Sequence, residues 1–164
     1  MTQNPQTPGE TRKPVLWIDA DALPDALKAI IIRAATRLTL KAIFVANKTI
    51  KVPRGPLLET IQVQKGIDIA DNLIVDRVEI GDIVLTADIP LAAAVIAKGT
   101  IVIDPRGDIL TTQNVRERLS VRNFMSDMRG AGTVTGGPRP FDERAKQKFS
   151  DSLDRILTAR LKGH

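Results

Sequence analysis

The sequence predicts an α/β fold built on a mainly parallel sheet, and three observations predict it. Short runs of unbroken apolar residues read as strands covered on both faces. Longer stretches carry apolar residues at helical spacing on one side only. The two kinds alternate as strand, helix, strand, strand, helix, strand, helix, strand, the rhythm of right-handed crossovers.

The elements follow in order. Pro14 to Ile18 is the first strand, and Leu23, Leu27, Ile30, Ile31, Ala34 and Leu38 form the stripe of the first helix. "KAIFVAN" (Lys41–Asn47) is a second strand, and the Pro-interrupted Lys48–Thr60 reads as an ordered loop. Ile61–Lys65 is a short strand, and Asp68–Val78 a helix with Ala70, Leu73 and Ile74 on one side. Ile83–Ala87 is a strand, and Asp88–Lys98 a helix that takes Pro90 in its first turn. Thr100–Asp104 is a strand followed by the turn Pro105-Arg106-Gly107. Helices are predicted over Thr112 to Arg129, with a break near Ser120–Arg122, and over Phe141 to Leu161. The Gly- and Pro-rich 130–140 reads as a loop or lid.

Composition fits one domain and narrows the chemistry. The 164 residues are 43% hydrophobic, enough for one sizeable core. Residues 1–13 are polar, have no apolar signal core, and read as a disordered tail ahead of a single domain, 14–164. No run of about 18 apolar residues occurs, so no membrane span is expected and the cytoplasm is the expected location. There is no Cys, and the one His is His164, which argues against a thiolate nucleophile, a Ser-His-Asp triad or a Cys- or His-based metal site. Aromatic residues make up 3% and Tyr is absent, which argues against a base-stacking platform. Acid–base or metal chemistry therefore falls to carboxylates. Residues 1–109 carry 13 basic and 13 acidic side chains, so the net charge of +5 resides in the last third. That third is either a solvated helical surface or a shelf for a polyanion.

The stretch "VLWIDADALPD" (Val15–Asp25) places two aspartates, Asp19 and Asp21, at the end of a buried strand. In a parallel sheet, ligands bind outside the carboxyl ends of the strands. Asp88, two residues after Thr86, follows another strand on that edge, and Asp68 and Asp71 share a face at the start of a helix that begins there. Asp21, Asp68 and Asp88 are also placed to cap helices, and Asp68 with Asp71 resembles a capping box. Asp19 has no helix to cap. Crowded carboxylates repel one another unless a cation sits among them, and hard oxygen ligands suit Mg²⁺ or Mn²⁺. The expected ligands are Asp19, Asp21, Asp68 and Asp88. The D-x-D pattern also resembles the haloacid dehalogenase-like phosphatases, with Thr86 in the place of their second motif. Their acidic pair after a later strand has only Asp88 to match it.

"WIDADALP", "FVAN", "KGIDIADNLIV", "GDIVLTADIPLA", "DPRG" and "GTVTGGPRPF" resemble, in order and spacing, the YaiI/YqxD family of bacterial proteins of unestablished function. The family usually reads "DADACP", and Leu23 stands here in place of that Cys, which points to a core role for the position. The family in turn resembles the PIN-like nuclease superfold. That resemblance implies a three-layer α/β/α sandwich, here with added C-terminal helices, that binds Mg²⁺ or Mn²⁺ and hydrolyses phosphodiester bonds. It implies catalytic roles for Asp19, Asp71 and Asp88. Asn47, Lys48, Lys51, Arg54, Thr86 and Arg139 are the expected substrate contacts, and single-stranded nucleic acid the expected partner. A phosphatase acting on a small phosphorylated substrate, and a binding domain without catalysis, remain open beside it.

Overall fold

The computed structural model describes residues 12–66, 68–130 and 141–162, with backbone alone for 122–130. Six strands form one sheet: β1 (Leu16–Asp19), β2 (Ala42–Ala46), β3 (Leu58–Gln62), β4 (Ile83–Leu85), β5 (Ile101–Ile103) and β6 (Ile109–Leu110). Five α-helices accompany them: α1 (Ala26–Leu38), α2 (Ile69–Arg77), α3 (Ile89–Ile96), α4 (Thr112–Gly130) and α5 (Glu143–Lys162). The strand order is β3-β2-β1-β4-β5-β6, and every neighbouring pair is parallel except β5 with β6.

That order decides where a site can form. The chain works outward from β1 through β2 to β3, then returns to the other side of β1 and works outward again from β4. The direction reverses between β1 and β4, and a crevice opens beyond the carboxyl ends of strands at such a reversal.

Alternation along β1 feeds two cores. Leu16 and Ile18 pack with Leu27, Ile31, Phe149, Leu153 and Leu157 of α1 and α5. Trp17 joins Val84, Ile74, Leu91, Val95 and Val115, which brings in α2, α3 and α4. Leu23 is buried in the first cluster, so the position that is Cys in the resembling family is a core position here. Polar α5 is held because Phe149, Leu153 and Leu157 are almost wholly buried, each worth about 1.5–3 kcal/mol of burial.

The structure departs from the expected elements in β3, β6 and α4. The loop expected over Lys48–Thr60 ends earlier, because β3 begins at Leu58 rather than at Ile61. As an edge strand it is only half-buried, so its apolar pattern is faint. β6 is a two-residue strand that folds back antiparallel on β5 after the Pro105–Gly107 turn, where the sequence predicts no strand. The break expected near Ser120–Arg122 is absent, and α4 runs through it. Most of the 130–140 segment, and residues 1–11 of the expected tail, lie outside the described residues. Arg12 and Lys13 are described: Arg12 bonds Asp82, and Lys13 donates to the carbonyl of Thr39.

Asp82 pins the opposite end of β4. Its carboxylate is buried and accepts from the Val15 and Glu79 N–H groups, the Trp17 indole and the Arg12 guanidinium, at 2.6–3.1 Å. No described helix is long and apolar enough to cross a membrane.

Candidate metal centre

At the reversal point, three carboxylates from three segments meet. Asp19 ends β1, Asp88 follows β4, and Asp71 lies in the first turn of α2. One oxygen from each lies within 4.8 Å of the other two. Asp19 is 4% exposed, while Asp71 and Asp88 are half-buried and line the open side.

Each is fixed by local structure. The Thr86 hydroxyl donates to Asp19 Oδ2 at 2.7 Å and accepts the Asp88 N–H at 2.9 Å. Asp88 Oδ1 accepts the Leu91 N–H at 3.0 Å, so Asp88 is the N-cap of α3, with Pro90 tolerated in the first turn. Capping occupies one oxygen of Asp88 and does not conflict with its place in the cluster. Asp71 is carried in by α2, whose start follows Asp68 in left-handed backbone (φ 64°), a region that Asp tolerates.

The electrostatics are those of crowded acids. Burial first, then the charges of Asp88 and Asp19, push the Asp71 carboxyl up to about 7, and a hydrogen bond with Asp88 favours its protonated form. Burial also raises Asp19, against the Thr86 hydrogen bond, with Asp88 and Asp21 adding to the rise. Three carboxylates that present oxygens to a common point, with Asp19 and Asp71 raised by burial and by their acidic neighbours, are a donor set suited to a hard divalent cation.

The other residues expected at the site are placed differently. A one-turn 3₁₀ helix, Ala20–Ala22, follows β1, and Asp21 is exposed with its Oδ2 accepting the Asn47 N–H at 2.7 Å. Asp21 therefore ties the end of β1 to the end of β2. Asp68 is exposed, and its side chain makes no cap bond. Neither belongs to the three-carboxylate group, though the charge of each reaches it. Asn47 directly follows β2 on the same rim. Lys48, Lys51 and Arg54 are exposed along the crossover to β3. Because β2 and β3 are parallel, that crossover runs from the rim to the opposite edge of the sheet, and Lys48 comes soonest after the end of β2. Thr86 is 0% exposed, with its hydroxyl bonded to Asp19 and Asp88. Arg139 lies outside the described residues.

Sequence reasoning missed a second polar cluster at the end of β5. Buried Asp104 accepts from the Arg106 and Asp108 N–H groups and from Arg118, while Asp108 takes both Arg118 of α4 and Lys148 of α5. The Lys148 hydrogen bond holds the Asp108 carboxyl below its usual range, against burial and with help from Arg118. The signal was available: Asp104 ends its strand as Asp19 does. This cluster is charge-balanced and joins helices to a turn. A groove of about 540 Å³ lies between α1 and α5, is lined in part by Ile30, Ala34, Arg37 and Leu153, and shares no residue with the acidic cluster.

The family model described as "Uncharacterized BCR, YaiI/YqxD family" matches residues 17–159. The chain belongs to the YaiI/YqxD family. Among its relatives is a protein of Syntrophobacter fumaroxidans named "UPF0178 protein", 50% identical over 147 residues, 90% of this chain and 96% of that one. A "UPF0178 protein" of Saccharophagus degradans is 48% identical over 90% of this chain and 97% of its own length. "UPF0178 protein ACIAD2644" of Acinetobacter baylyi is 51% identical over 87% of this chain and 92% of its own. No solved structure matches the chain. Asp19, Asp71 and Asp88 all fall inside the segment that the YaiI/YqxD model covers.

Proposed function

We propose that this YaiI/YqxD protein is a divalent-metal-dependent nuclease on a three-layer, PIN-like α/β/α frame. The observation that carries the reading is the meeting of Asp19, Asp71 and Asp88 oxygens within 4.8 Å at the reversal point of a parallel sheet. Without a cation, burial and the neighbouring charges favour the protonated forms of Asp19 and Asp71, and with Mg²⁺ or Mn²⁺ the negative charges of the group become an asset. The ion, when bound, lowers the pKa of a coordinated water and offsets phosphate charge. The chain's own part is to hold the ligands. Buried Asp19 is oriented by Thr86, Asp88 is locked as a helix cap, and Asp71 gives up its proton near neutral pH.

Lys48 comes soonest after the rim among the loop cations and is suited to the backbone phosphates of a single strand, with Lys51 and Arg54 farther along the chain. Nothing in this set reads bases, so selectivity rests on strand shape or ends.

The deciding experiment is cleavage of single-stranded RNA and DNA with Mg²⁺ or Mn²⁺. Asp88→Asn is expected to abolish cleavage while leaving binding intact or tighter, because a negative charge beside the phosphates is removed. Absence of cleavage on any substrate, or cleavage undiminished in Asp88→Asn, overturns the reading. Turnover of a small phosphate ester that is lost in Asp19→Asn replaces it with a phosphatase.

A further inference from the structure

Thr86 has no exposed surface, so it is not a substrate contact, yet its hydroxyl touches two of the three acidic residues. A hydroxyl has one proton to give. Here it points at Asp19 Oδ2, 2.7 Å away, and the oxygen's lone pair takes the Asp88 N–H at 2.9 Å. The first bond fixes the rotation of the Asp19 carboxylate, which leaves Oδ1 without that tether. The second fixes the backbone that makes Asp88 the cap of α3. Through one atom, two ligands from two neighbouring strands are held in a set relation before any cation arrives.

We propose that Thr86 is a positioning residue whose hydroxyl sets the cation affinity of the Asp19–Asp71–Asp88 group. The inference rests on the metal reading above and adds an outer-sphere residue to it. Partners that orient metal ligands typically govern affinity by ten- to a hundredfold. Valine keeps the branched shape of threonine without the hydroxyl, and serine keeps the hydroxyl without the methyl, so the two variants separate shape from hydrogen bonding.

The test is a calorimetric titration of the full chain with Mn²⁺ alone, with thermal melting as the check on folding. Thr86→Val is expected to weaken Mn²⁺ binding ten- to a hundredfold, and Thr86→Ser to stay within about threefold of wild type. If the valine chain does not fold, Thr86→Ala takes its place with the same expectation. Equal Mn²⁺ affinity in the hydroxyl-free variant, or a serine variant as weak as the valine one, overturns the proposal and leaves the metal reading standing. Absence of Mn²⁺ binding by the wild type overturns both.

Discussion

Asp71 titrates close to neutral pH, and that ties stability to pH at the level of one residue. Its carboxyl rises from 3.8 to about 7, chiefly through burial and then through Asp88 and Asp19. The fold therefore favours its protonated form. That contribution is complete below about pH 3.8 and is lost as pH climbs through about 7. The melting temperature of EDTA-treated protein should fall between pH 5 and 8, and Asp71→Asn should show a shallower fall. Asp19 shifts in the same direction, so some slope remains. With saturating Mn²⁺ the trend should reverse, since the ion competes with the proton. Equal slopes in wild type and Asp71→Asn would contradict the assignment. Asp82 is the opposite kind of acid: buried, with four donors around it. Asp82→Ala should cost about 3–5 kcal/mol in urea unfolding, and a loss below about 1 kcal/mol would show the hub to be dispensable. Asp19 and Asp88 were legible in the sequence because strand ends in a parallel sheet share an edge. Helical facing brought in Asp71. Asp21 was misleading because adjacency in D-x-D says nothing of the 3₁₀ turn, which lets its carboxylate reach the Asn47 N–H instead.

At the scale of elements, α5 is seated against the β5–β6 turn by one glycine. Gly107 has φ +88°, and a Cβ there would lie 2.7 Å from the Lys148 carbonyl oxygen, which is backbone and cannot swing away. The Ser152 hydroxyl also donates to the Gly107 carbonyl at 2.6 Å. Gly107→Ala therefore meets both a strained conformation and a steric block, and should destabilise by about 2–4 kcal/mol. Gly55→Ala has open space around it and a surface position. It should change stability by less than about 0.5 kcal/mol, so equal effects in urea melts would refute the seating argument. The Asp108 pairs with Lys148 and Arg118 brace the same junction. The carboxyl of Asp108 is lowered, so its contribution is present above the ordinary carboxylate range and fades only as pH falls through the lowered value. It does not confound the Asp71 test between pH 5 and 8. Elements buried on both faces, such as β1 and β2, were plain in the sequence. β6 was not, because two residues make no pattern, and β3 was blurred because only its β2 side is paired.

For the whole molecule, the question is which cations remain available to a polyanion. The last third carries the net charge of +5, and several of its basic groups are engaged. Arg118 and Lys148 hold Asp104 and Asp108, Lys146 pairs with Glu143, and Arg160 donates to the carbonyls of Gly81 and Arg12. The Gly81 carbonyl lies at the edge of the sheet opposite the carboxylates. Lys48, Lys51 and Arg54 are exposed on a crossover that starts at the carboxylate rim, so under the nuclease proposal they are better placed than the C-terminal cations to hold a strand. Replacing the three with Ala should weaken single-strand binding. It should also flatten the plot of log affinity against log salt by up to about 0.7 for each phosphate that is no longer neutralised. The comparison is Arg155→Ala, exposed on α5, which should leave both quantities near wild type if the path follows the crossover. Filter binding of a labelled oligonucleotide between about 50 and 200 mM salt separates the cases. A large drop in affinity for Arg155→Ala with none for the triple variant would move the polyanion to the C-terminal helices. Since exposed side chains on a crossover bear little load in the fold, the triple variant should melt within a few degrees of wild type, and a flattened salt slope then reports binding rather than unfolding.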